Sequence, residues 1–159
     1  MNPPPAAFPC PDPVVVRCAS GVVKGCLESP PWGSTGEALR GSEDPSHERF
    51  RIRSLDRRRV EEIPASEIKA IFFVSDLQGD GERNDLQFHG VEPALPGVWV
   101  QARFRDGEVI EGIVENSIRA LLAPGFFLRP TDAGSNNRLI YIMKSALAEY
   151  HVLGVTPTR

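Results

Sequence analysis

An all-β chain built from two tandem five-stranded small barrels is the fold class that three observations predict. Residues 14–29, VVVRCASGVVKGCLES, recur in outline as residues 98–117, VWVQARFRDGEVIEGIVENS: an apolar strand, a glycine turn, a returning strand and a second glycine. Further along, RFRIRSLD (49–56) matches GFFLRPTD (125–132), and IPASEIKAIFFV (63–74) matches IMKSALAEYHVL (142–153). Apolar residues alternate with polar ones in the clearest of these segments, the pattern of a strand with one buried face.

The repeat divides the 159 residues into a proline-rich tail (1–13), a first unit (14–75) with an insertion at 30–48, a connector (76–97), a second unit (98–155) and a short tail (156–159). Units this small bury a modest core, worth only ~3–5 kcal/mol below about 70–80 residues. The two are therefore expected to pack on each other or on a second chain.

The six prolines of residues 1–13 remove backbone donors and hold the chain extended, which predicts a disordered tail or a ligand for a partner's groove. Val14, Val15 and Val16 lead through Arg17 and Cys18 to a Ser20-Gly21 turn, and Val22, Val23 and Gly25 begin the returning strand. Residues 30–48 are rich in Pro, Gly, Ser and acids and read as a loop. The matching stretch of the second unit, SIRALLAP, is far shorter, so the loop is an insertion the unit does not require and a place where function is put. Its Trp32 either caps the end of the unit or stacks on a ligand.

Phe50 and Ile52 alternate with Arg49, Arg51 and Arg53 in a half-buried third strand with a basic outer face. Val60 to Ile63 forms a fourth strand, residues 64–67 a helical turn, and Ile68 to Ser75 a fifth strand that directs inward either Ile71 and Phe73 or Phe72 and Val74. Glycines, acids and two prolines make 76–97 a connector, with Leu86 and Phe88 docking on a neighbouring surface. In the second unit Val98, Val100, Ala102 and Phe104 alternate with polar partners, Asp106-Gly107 supplies a turn with positive φ, and Val109 to Asn116 returns. Phe126 to Arg129 is the third strand, residues 132–137 a turn, Leu139 to Met143 the fourth strand, Lys144 to Leu147 a helical turn, and Ala148 to Leu153 the fifth strand.

These features resemble the Sm-like fold of the SH3-like barrel group. The residues that carry the resemblance are V98-W-V-Q-A-R-F-R-D-G107-E-V-I-E-G112-I-V-E, similar to the first Sm motif, and I142-M-K-S-A-L-A-E-Y150, similar to the second as bacterial proteins write it. Gly107 gives the turn and Gly112 the strand bend; Gly21 and Gly25 hold these places in the first unit, with one residue fewer between them. Bacterial Sm proteins that bind RNA carry a Lys-His pair in the second motif. Here Lys144 is followed by Ser145, and a proline-rich tail and a connector stand where those proteins begin with an amphipathic helix. The whole chain also resembles an uncharacterised bacterial family of two such halves, which implies no activity.

Charge and chemistry narrow the function classes. Eighteen basic and 21 acidic side chains leave a net charge of −3, so the whole molecule has no field that would gather nucleic acid or anionic lipid. No apolar run reaches membrane-span length, and the first residues lack the basic start and apolar stretch of a secretory signal; a cytoplasmic protein is the expectation. Cys10, Cys18 and Cys26 form no CxxC pair, and their odd number argues against a disulfide framework. Cys18 and Cys26 read as small buried thiols, the other reading being a cross-strand disulfide. His47, His89 and His151 have no metal-site spacing, the acids of 76–85 do not make a calcium loop, and neither Ser20 nor Ser66 has a recognisable base. No enzyme, metal or cofactor is expected.

The one concentration of charge is Arg49, Arg51, Arg53, Arg57, Arg58 and Arg59. Arginine forks suit phosphates and carboxylates, and the second unit has Gly125 and Phe127 where Arg49 and Arg51 stand, so folding does not require them. The competing reading is a solvated face neutralised by Glu48, Asp56, Glu61 and Glu62. Arg53-Ser-Leu-Asp-Arg57 also fits half of the cyclic-dinucleotide motif of PilZ domains, whose other half is absent. The functional expectation is a non-enzymatic binding or adaptor module for a protein partner, with Trp32 and the arginines as candidate contacts. A homo-oligomer is a further expectation, and a binder of RNA or cyclic dinucleotide is the alternative.

Overall fold

The computed structural model describes residues 10, 12–28, 49–55, 59–75, 77, 97–131 and 135–156. Its first five strands are β1 (Pro13–Cys18), β2 (Gly21–Glu28), β3 (Arg49–Ser54), β4 (Val60–Pro64) and β5 (Ile68–Val74). A 3-10 turn, Ala65–Glu67, joins β4 to β5. The remaining strands are β6 (Gly97–Phe104), β7 (Val109–Val114), β8 (Gly125–Pro130), β9 (Asn137–Met143) and β10 (Leu147–Thr156), with a 3-10 turn, Lys144–Ala146, between the last two. The expected strands are thus all present, most of them longer by a residue or two. The stretch read as a short loop between the second and third strands of the second half is corrected: it contains an α-helix, α1 (Ile118–Leu122).

The ten strands form one antiparallel sheet in the order β10-β6-β7-β8-β9-β5-β1-β2-β3-β4. Each half therefore uses the same order, its fifth strand beside its first, and the halves meet where β9 pairs with β5. The registers correspond as well. Phe50 lies opposite Ile63 as Phe126 lies opposite Ile142, and Val14 faces Phe73 as Val100 faces Val152. Even the irregularity recurs, since a register shift falls between Arg17 and Cys18 against β5 and again between Leu147 and Glu149 against β6.

Two cores lie on opposite faces of the central strands. Val14, Val16, Leu27, Phe50, Ile52, Ile63, Ile68, Ile71 and Phe73 of the first half enclose one core together with Leu139, Tyr141 and Met143 of β9. Val100, Ala102, Phe104, Val114, Phe126, Leu128, Ile140 and Ile142 enclose the other together with Ala70, Phe72 and Val74 of β5. The sequence left open which pair of β5 residues faces inward; both do, each into a different core. A strand side chain points to alternate faces, so a strand packed on both sides must be apolar throughout. This is why IKAIFFV in β5 and LIYIM in β9 carry almost no polar residue. Full burial of each large side chain contributes roughly 1.5–3 kcal/mol.

The cysteines also depart from expectation. Cys10 is disulfide-bonded to Cys26 of β2, and Cys18 is the free thiol. An odd count cannot exclude a single bridge, and the Cys10 partner was hidden because its segment read as part of the tail. Trp32, the connector residues Leu86 and Phe88, and the arginines 57 and 58 lie outside the described residues.

Candidate functional site

Three places on the sheet gather side chains that could meet a partner or ligand: the arginine face of β3, a charged clamp between the halves, and the sheet edge along β10. On β3 the alternation reads through directly, with Arg49, Arg51 and Arg53 exposed and Phe50, Ile52 and Ser54 buried. Arg59 is also exposed. Carboxylates stand beside two of these arginines. Arg53 Nε donates to Glu28 Oε1 at 2.5 Å, and Arg51 Nε lies 3.7 Å from Glu62 Oε1 on β4, the residue opposite it in the sheet. The face is a mixed-charge surface in which the fork of Arg53 is turned toward an acid.

The glycines that shape these strands sit where the sequence placed them. Gly107 has φ +92° in the β6–β7 turn, and Gly21 has φ +138° in the β1–β2 turn. Gly25 and Gly112 serve a different need, close approach. A Cβ on Gly112 would lie 2.4 Å from the Arg129 carbonyl oxygen and 2.3 Å from the Leu128 side chain; one on Gly25 would meet the Arg53 carbonyl at 2.1 Å.

The clamp was not anticipated from the sequence. Arg17 on β1 donates through Nη1 to both oxygens of Glu108, at 2.7 and 2.8 Å. Lys69 Nζ, only 15% exposed, donates to Asp106 Oδ2 at 2.6 Å and also to Glu108. Both cations lie over aromatic rings, Arg17 at 4.6 Å from the centroid of Phe72 and Lys69 at 4.4 Å from that of Phe104. Burial would by itself raise the Glu108 carboxyl, but the hydrogen bonds from Lys69 and Arg17 outweigh it and hold the group below its usual range. The Lys69 hydrogen bond, helped by the Glu108 backbone, likewise lowers Asp106. The arrangement ties the turn of one half to the strands of the other. It was illegible because Arg17 and Glu108 lie 91 positions apart and only the β5–β9 pairing brings them together.

A second unanticipated contact fixes the outer end of the second half. Glu111 is buried, and it accepts a 2.7 Å hydrogen bond from Trp99 Nε1 on the neighbouring strand. Cys18 is half-buried; burial, then Glu67 and Glu61, push its thiol upward, so it remains protonated near neutrality and is a poor nucleophile. Among the described residues no three His, Cys, Asp or Glu side chains are grouped to hold a metal ion, and no helix is long and apolar enough to cross a membrane.

The third place is the sheet edge. Among the described residues β10 pairs with β6 alone, and it presents Tyr150, Val152, Leu153 and Val155 at 44, 56, 44 and 54% exposure. Ile118, Leu121 and Leu122 of α1, which lies against β8, are exposed as well. The opposite edge, β4, carries Glu61 and Glu62 with Val60 and Ile63.

A family model spans residues 11–154, from the residue before Asp12 to the last part of β10. The chain belongs to the DUF6982 family, a family of unknown function. No curated protein and no solved structure matches it. The DUF6982 match takes in both halves of the sheet together, including the β5–β9 joint, the clamp and nearly all of β10.

Proposed function

We propose that this DUF6982 chain is a non-enzymatic protein-binding module made of two SH3-like or Sm-like units, and that a partner's extended segment adds to it as a further strand along β10. The observation that carries the reading is the β10 edge, which no other described strand pairs, with its four exposed large apolar side chains. A strand edge offers a row of backbone donors and acceptors, which supply affinity, while side chains on alternate faces supply selectivity. Support for two units comes from the shared strand order and register of the halves.

The test is capture from a cell extract with the full chain and with Val152→Asp as baits. A partner held by the wild-type chain and lost by the variant is expected; a partner recovered equally by both would refute the β10 reading.

A second reading places a phosphate-bearing ligand, RNA or a cyclic dinucleotide, on Arg49, Arg51 and Arg53, and the exposure of all three on one face favours it. Under it, Arg51→Ala with Arg53→Ala abolishes nucleotide binding, and affinity falls steeply with added salt. Binding by strand addition is nearly indifferent to salt.

A further inference from the structure

The molecule contains, at its centre, a worked example of how one half adds to another. Strand β9, fourth of its half, pairs with β5, fifth of the other, through Ala70 opposite Ile142, Ile71 opposite Tyr141, Phe72 opposite Ile140 and Phe73 opposite Leu139. The two outer edges are the same two kinds of strand: β4 is the fourth of the first half and β10 the fifth of the second. One joint has been used inside the chain, and among the described residues both partners of a second joint stand at the ends of the sheet.

We infer that the strand added to β10 is β4 of a second copy of this chain, joined head to tail in the register of the internal β9–β5 pairing. The proposal rests on the reading of β10 as a binding edge and names the occupant of that edge. Register equivalence within each half fixes which residues meet. Because Ile63 and Ile142 lie opposite equivalent phenylalanines, and Phe73 and Val152 opposite equivalent valines, the internal pairs transfer one by one. Glu149 then faces Ile63, Tyr150 faces Glu62, His151 faces Glu61 and Val152 faces Val60. These four residues of β10 form the regular run between its two register shifts, so no irregularity interrupts them.

The chemistry of the edges favours this pairing over one between two β4 strands. Two β4 edges laid antiparallel would bring Glu61 and Glu62 of one copy among those of the other, and like charges directly opposite are destabilising. Against β10 the same acids meet an imidazole and a phenol. The joint is weaker than its internal template. Its middle rows carry Glu61, Glu62 and His151 where the internal rows carry Ile140, Tyr141 and Phe72, and the Ser20-Gly21 turn lacks the acids with which Asp106 and Glu108 clamp Lys69 and Arg17. Association is therefore reversible and rises with concentration. Since each copy offers one edge of each kind, the contact is heterologous and builds a ring if it closes or a chain if it does not.

The test is the light-scattering mass of the full chain over a range of concentrations, starting from the 17.5 kDa of one copy. Val60 and Val152 are both exposed at the edges, so charges there leave each copy folded, which far-UV dichroism checks. The wild-type mass is expected to climb with concentration. Val60→Lys with Val152→Lys sets like charges opposite each other and should hold the chain near one copy; Val60→Lys with Val152→Glu should restore assembly, with association at least about fivefold tighter than the double-lysine chain. A wild-type mass fixed at one copy, or identical behaviour of the two double variants, overturns the proposal. In particular, self-pairing of two β10 edges would leave Val60→Lys alone without effect. If copies fail to associate while Val152→Asp still loses a cellular partner, the self-joint falls and the β10 binding edge stands.

Discussion

At Gly112 a single methyl group decides whether two neighbouring strands can pair. A Cβ there would lie 2.4 Å from the Arg129 carbonyl and 2.3 Å from a Leu128 methyl, so Gly112→Ala must displace backbone and core together. We expect a loss of about 1–3 kcal/mol, the usual range for overpacking, in urea denaturation. Gly107→Ala meets nothing within 4 Å but must keep φ near +92°, and should cost about 1 kcal/mol. Both glycines were legible from spacing alone, because turn and bend chemistry is local. Glu108 was not, since its partners come from the other half. Its carboxyl is held below the ordinary value of about 4.3, so its contribution to stability is complete above that value and is lost as pH falls through the lower folded-state value. Thermal midpoints measured downward from pH 6 should decline in the wild type, and less steeply in Glu108→Gln, whose midpoint at neutral pH is already lower.

Among the elements, β3 was read most accurately and β5 least completely, for one physical reason. An alternating strand such as RFRIRS announces which face is wet, whereas the continuous apolar run IKAIFFV says only that both faces are dry and not what covers the second. The cover is β9 of the other half, which sequence patterning within one unit cannot reveal. The same limit applied to Cys10, whose bond to Cys26 ties the chain ahead of β1 to β2. Closing a loop of sequence separation 16 removes chain entropy worth about 3 kcal/mol from the unfolded state. Cys10→Ser and chemical reduction should therefore lower the urea midpoint equally, while Cys18→Ser, at the free thiol, should change it little. On β3, replacing Arg51 and Arg53 by alanine should alter stability by less than about 1 kcal/mol, because exposed ion pairs contribute little.

For the molecule as a whole, the sharing of β5 and β9 means that neither core is complete without a strand from the other half. Unfolding should then be a single transition, with calorimetric and van't Hoff enthalpies in agreement, although the chain reads as two units. Two separate transitions would contradict the shared cores. The all-β class and the doubling of the strand plan were legible from the repeat; the fusion of both halves into one sheet was not, since a repeat specifies units and leaves their junction open. That junction has a consequence for cutting the chain. Backbone pairing, apolar packing on two faces and the Arg17–Glu108 clamp all cross it. Either half made without the other would bare the strand face that the other half covers, so two genes encoding the halves separately would have to be expressed in the same cell for either product to fold.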